Sequence, residues 1–175
     1  MRKFLFTAAL LMIFGGISWA VPTTVTVRAK SKDAKFIGSS MGGALVVIRD
    51  AETGEILAKG LTTGGTGDTQ NIMVSPVKRG MPVSDASAAK YEATLDISEP
   101  KFVTIEVSGP MGHKQSIARS TTQVWIVPGR NIKGDGVMVE VPGFSVELLA
   151  PQAHEAYKLS GKGIIVPVRA NIVMM

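Results

Sequence analysis

The chain has 175 residues, 45% of them hydrophobic and 19% charged, with a formal net charge of +5. That length allows one domain with a substantial core, and the composition excludes a disordered chain. The absence of cysteine excludes disulfides, thiol nucleophiles, cysteine-based zinc sites and iron–sulfur clusters.

The chain opens MRKFLFTAALLMIFGGISWA. Arg2 and Lys3 form a basic start, Phe4 to Phe14 an apolar stretch, and Ser18-Trp19-Ala20 a small-x-small cleavage site, the pattern of a secretory signal peptide over residues 1–20. Export to the periplasm or the extracellular space is therefore expected, with no stable membrane span after cleavage. Of 175 residues, loss of the first 20 leaves 155, and loss of Arg2 and Lys3 lowers the charge from +5 to +3. The remaining cations are interspersed with acids and form no stripe, so nucleic acid is not an expected partner.

Beyond the leader, apolar residues recur with the two-residue period of half-buried strands. TTVTVRAK sets Val25, Val27 and Ala29 on one face. Ala44 to Arg49 and Glu55 to Leu61 follow. KYEATLDI alternates Tyr91, Ala93, Leu95 and Ile97 with Lys90, Glu92, Thr94 and Asp96, and FVTIEVS aligns Val103, Ile105 and Val107. Further strands are expected at Gln115–Ala118, Thr122–Val127, Val137–Val141, Phe144–Leu149 and Ile164–Met174. Residues 70–89 carry no clear element. Turns are expected at Gly109-Pro110-Met111-Gly112, Pro128-Gly129, Gly134-Asp135-Gly136 and Pro142-Gly143. Short strands at this spacing indicate an all-β, antiparallel β-sandwich of about seven to nine strands, forming a single domain over residues 21–175.

RDAETGEILAKG, residues 49–60, places Asp50 where its side chain can bind backbone amides and Gly54 where positive φ is needed, which makes a hairpin loop. Asp50 and Glu52 are a pair of acids, but a solvated tip offers nothing to raise either pKa for acid–base work. The longer run GGALVVIRDAETGEILAKGLTTGGTGD, residues 42–68, resembles the opening hairpin of transthyretin-like and carboxypeptidase-regulatory-like modules. The matching parts are strand Val46 to Arg49, the D-x-x-T-G turn Asp50 to Gly54, a strand Glu55 to Gly60 followed by Thr62, and the glycine loop Gly64 to Gly67. The resemblance implies a prealbumin-like sandwich, the alternative being an immunoglobulin-like one, and a role that is usually non-catalytic. Hydroxyisourate hydrolases, the enzymatic relatives of that fold, use a histidine-rich site and a C-terminal Tyr-Arg-Gly-Ser; this chain has two distant histidines and ends RANIVMM.

Other constellations are weaker. GSSMG, residues 38–42, matches the G-x-S-x-G nucleophile elbow around Ser40, but a β run follows where a helix should. GLTTGGTGDT carries Asp68 where a phosphate loop needs lysine, and no helix is expected after it. Asp68 and Asn71 supply two oxygens toward calcium, which takes about six to eight. Nine methionines and two histidines in a chain without cysteine raise copper, for which Met111 and His113 in one turn are the candidate ligands. His154 is expected on the surface. The apolar C-terminal run Ile172-Val173-Met174 makes an edge strand that invites pairing, internally or in a homo-oligomer. The expectation is an exported, non-enzymatic sandwich with a binding or envelope-structural role and a protein or envelope partner. The alternatives are a periplasmic copper-binding protein and an adhesive or assembly subunit pairing through its C-terminal strand.

Overall fold

The computed structural model describes residues 19–159, 161 and 163–175. The leader expected at residues 1–20 falls almost wholly outside them. Among the described residues the chain is mostly β, with nine strands in three sheets and only short helical turns. The strands are β1 (Val21–Ser31), β2 (Leu45–Asp50), β3 (Ile56–Leu61), β4 (Tyr91–Ile97), β5 (Lys101–Gly109), β6 (Ala118–Ile126), β7 (Ile132–Val141), β8 (Phe144–Ala150) and β9 (Arg169–Met174). One sheet runs β4-β1-β7, a second β3-β2-β5-β6, and β8 and β9 form a separate ribbon.

The alternation read from the sequence decides which side chains meet. Val25, Val27 and Ala29 of β1 and Ala93, Leu95 and Ile97 of β4 share one buried cluster with Val46 and Ile48 of β2 and Val103, Ile105 and Val107 of β5. The inner faces of the two larger sheets thus share a core built largely of β-branched residues, which suit a pleated surface. The opening hairpin is as expected, β2 pairing antiparallel with β3. Thr62 just beyond it is a buried clasp, its hydroxyl accepting from the Ala44 N–H at 2.8 Å and donating to the Ile37 carbonyl at 2.9 Å.

Several expectations are corrected. Among the described residues every strand ladder is antiparallel except one, for β1 runs parallel to β7. Gln115–Ala118 is not a strand: Lys114–Ser116 forms a 3-10 turn and β6 starts at Ala118. The last strand is shorter than expected, Arg169–Met174 in place of Ile164–Met174. Gly134-Asp135-Gly136 is not a turn between strands but a bulge inside β7, where the register with β1 jumps from Ile132 to Val137 across only two residues of the partner. Gly134 and Gly136 both have positive φ there, and a Cβ on Gly136 would stand 2.3 Å from the Thr26 carbonyl oxygen. A bulge of this kind bends the strand and aims its extra residues away from the ladder. A helical turn also follows the glycine loop after all, at Gln70–Val74, with π-type hydrogen bonding.

The bulge explains how residues 62–90 are held. The outer face of β1, which alternation alone assigns to solvent, buries Thr26 and Arg28. Arg28 donates to the carbonyls of Ala88, Ala89 and Gly134, and its guanidinium lies 5.7 Å from the centre of the Phe36 ring. Burial pulls the Arg28 pKa below its ordinary value, while Asp135, Asp85 and Glu92 pull the other way. Asp135, carried by the bulge, accepts from the N–H groups of Val83 at 2.9 Å and Ser84 at 2.8 Å and from the Ser84 hydroxyl at 2.5 Å. Burial pushes its carboxyl up, but these donors and Arg28 outweigh it and hold the pKa below the usual value. A small apolar cluster of Phe36, Ala88 and Ala89, with Ile72, Val83 and Met138 against it, fills the space beneath.

Candidate functional site

The C-terminal ribbon is the part of the molecule whose chemistry the fold leaves unused. FSVELLA alternates as a strand should, and β8 pairs antiparallel with β9 so that Phe144 faces Met174, Val146 faces Ile172 and Leu148 faces Ala170. Side chains two apart on a strand, and those directly opposite across a ladder, share a face. Phe144, Val146, Leu148, Ala170, Ile172 and Met174 therefore line one side of the ribbon, and every one is exposed. Ile172 is 64% exposed and Phe144 60%.

The opposite side of the ribbon carries Ser145 and Glu147 on β8, facing Val173 and Asn171 on β9, and β8 lays it against the body of the protein while Asn171 stays exposed. Ser145 is buried, and Glu147 Oε1 lies 3.1 Å from His113 Nδ1. The free edge of β8 is satisfied by side chains of the Lys114–Ser116 turn. The Ser116 hydroxyl donates to the Val146 carbonyl at 2.6 Å and accepts from its N–H at 2.7 Å, while Gln115 accepts from the Leu148 N–H at 2.9 Å. At the hinge, the Met175 N–H donates to the Gly143 carbonyl at 3.0 Å and the Lys35 N–H to the Met175 carbonyl at 3.3 Å. Among the described residues, the other edge of β9 pairs with no strand. On β8 the amphipathicity is reversed, with Ser145 and Glu147 inward and Phe144, Val146 and Leu148 outward. Contiguous apolar patches larger than a few hundred Å² are rare on monomers and mark interaction sites.

The two copper candidates sit at the foot of this ribbon. Met111 is half-buried and its N–H donates to the Gly43 carbonyl, while His113 braces β8 through Glu147. Their turn touches the Gly38–Gly42 stretch, because the Gly112 N–H donates to the Met41 carbonyl at 2.9 Å. Ser40 lies in an exposed 3-10 turn, Ser39–Met41, and not on a strand-to-helix elbow. In that turn it is the Ser39 hydroxyl that accepts from the Gly64 N–H. Among the described residues no three His, Cys, Asp or Glu side chains gather closely enough to hold a metal ion. Asp68 accepts from the Gln70 N–H at 2.9 Å, just before the turn on which Asn71 lies. His154 is exposed in a turn with φ of 66°.

Asp50 departs from the solvated tip expected of it. It is buried, accepting from the N–H groups of Glu52 at 2.9 Å and Thr53 at 3.0 Å and from Lys101 Nζ at 2.9 Å. The hydrogen bond from Lys101, with the two backbone donors, lowers its pKa to about 2. An acid held that low stays ionised and cannot serve as a proton donor near neutral pH. Beside it Phe102 and Trp125 form a tilted ring pair with centroids 5.1 Å apart, along a cleft also lined by Glu52 and Glu99.

No family model matches the chain, and neither does any curated protein or solved structure. The sequence pattern missed the outward direction of the ribbon's apolar face. Its one available signal was the continuation of apolar residues into the C-terminal strand.

Proposed function

We propose that the protein is an exported, non-catalytic β-sandwich module with a binding or envelope-structural role, and that it works as an assembly subunit whose copies associate through the apolar face of the β8–β9 ribbon. The observation that carries this reading is the reversed ribbon, with Phe144, Val146, Leu148, Ile172 and Met174 facing solvent while Ser145 and Glu147 face inward. A face without charge complements itself, so a second copy packed ribbon against ribbon is the simplest occupant. Covering the exposed part of each of these side chains contributes roughly 1 kcal/mol. A prealbumin-like arrangement of the two larger sheets is in keeping with their shared core and with the D-x-x-T-G hairpin, Asp50 to Gly54.

Light scattering during size-exclusion chromatography of the exported form tests the reading. The parent is expected to be dimeric or larger at high concentration and to dissociate on dilution. Ile172→Asp or Phe144→Asp is expected to weaken association by at least about tenfold, since a buried carboxylate costs more than the lost apolar contact, with circular dichroism unchanged. A parent that stays monomeric at every concentration overturns the proposal.

A further inference from the structure

A second apolar surface lies far along the chain from the ribbon, in the loop between Asp68 and Asp85. Its base is clamped by carboxylates. Asp85 accepts from the N–H groups of Asp68 at 2.7 Å and Ser87 at 2.7 Å, and Asp135 holds Val83 and Ser84. Between these clamps Met73, Val74, Val77 and Met81 are all exposed. Val74 and Val77 are 64% and 62% accessible. The same stretch, residues 69–84, holds two cations, Lys78 and Arg79, and no acidic residue. Both cations are exposed, and neither joins an ion pair among the described residues. Gly80 beside them has positive φ and nothing within 4 Å of a would-be Cβ, as expected of a turn standing in solvent.

A firmly held base carrying four bare apolar side chains and two unpaired cations sorts its chemistry by depth. Apolar groups enter the headgroup–acyl boundary of a bilayer, while lysine and arginine stay at the phosphates. The loop has no acid to oppose a negative surface. We propose that the 73–81 loop is a bilayer-surface anchor that takes anionic phospholipid headgroups. This holds whether or not the ribbon mediates association.

Co-sedimentation of the exported form with vesicles of phosphatidylglycerol and phosphatidylcholine, against vesicles of phosphatidylcholine alone, tests it. Binding is expected on the anionic vesicles, weakening as salt rises. Lys78→Gln with Arg79→Gln is expected to weaken partition about twenty-five-fold, since each cation near such a surface contributes about fivefold. Val74→Asp with Val77→Asp is expected to abolish it, and Val74→Ser with Val77→Ser repeats the test should the aspartates disturb the loop. Lys59→Gln, at an exposed cation of β3 outside both the loop and the ribbon, is expected to leave partition nearly unchanged. Absence of binding, equal binding to neutral vesicles, loop variants that bind like the parent, or an equal loss on Lys59→Gln would each overturn the proposal.

Discussion

Asp50 ends β2 with three donors converging on one carboxylate, and the consequence is a testable dependence on pH. The hydrogen bond from Lys101 is the largest cause of its lowered pKa, followed by the N–H groups of Thr53 and Glu52. The folded pKa of about 2 lies below the ordinary 3.8, so the unfolded chain binds the proton more readily. The stabilisation is then fully present above 3.8 and is lost as pH falls through about 2. Asp50→Asn keeps an oxygen for the two backbone donors and removes the charge that Lys101 meets. Thermal unfolding of this variant is expected to begin a few degrees lower at neutral pH, with the gap to the parent closing between about pH 4 and pH 2. A gap that stays constant over that range would show that the charge contributes nothing to folding. Arg28 plays a different part: it is buried to satisfy carbonyls of a folded-back loop, and its use is positional.

Among the elements, the turn from β7 into β8 sets where the ribbon stands. A Cβ on Gly143 would lie 2.2 Å from the Lys32 carbonyl oxygen, a backbone atom that cannot swing aside, whereas one on Gly163 meets nothing within 4 Å. Gly143→Ala is expected to shift the urea midpoint by an amount equivalent to about 2 kcal/mol, the usual cost of forced overpacking, while Gly163→Ala leaves it nearly unchanged. Equal midpoints for the two variants would mean that the turn yields freely. The strands themselves were legible wherever one face is buried, as in β4, where Ala93, Leu95 and Ile97 are buried and Glu92, Thr94 and Asp96 exposed. Alternation says that two faces differ; it does not say what covers them. The cover over the outer face of β1 comes largely from Ala88, Ala89 and Gly134, far away in sequence, and the apolar face of β8 is left uncovered; alternation carries neither fact. The parallel pairing of β1 with β7 leaves no trace in periodicity, and the Gly-Asp-Gly bulge has the composition of an ordinary turn. Of the site, sequence reading found the apolar C-terminal strand but neither its register with β8 nor its outward direction, both of which are set by tertiary contacts.

For the whole molecule, the division of the core fixes which parts open together. The main cluster draws on β1, β2, β4, β5, β6 and β7 and takes no residue from β8 or β9. The ribbon is held instead by the side-chain bonds of Gln115 and Ser116, by His113 with Glu147, and by the backbone bonds of Met175. Such an attachment exposes few apolar contacts to break, so the ribbon should open below the global unfolding free energy. In dilute protein, hydrogen exchange is expected to proceed at least about a hundredfold faster at residues 144–150 and 169–174 than in β1 or β5. Raising the concentration should slow exchange in the ribbon and leave the core rates unchanged, because association protects only what it covers. Ribbon amides as protected as those of β5 in dilute monomer would mean that the ribbon is integral to the core and that its outward face requires no cover. Fast exchange at low concentration that slows as copies accumulate would tie the reversed amphipathicity of this one element to assembly of the protein.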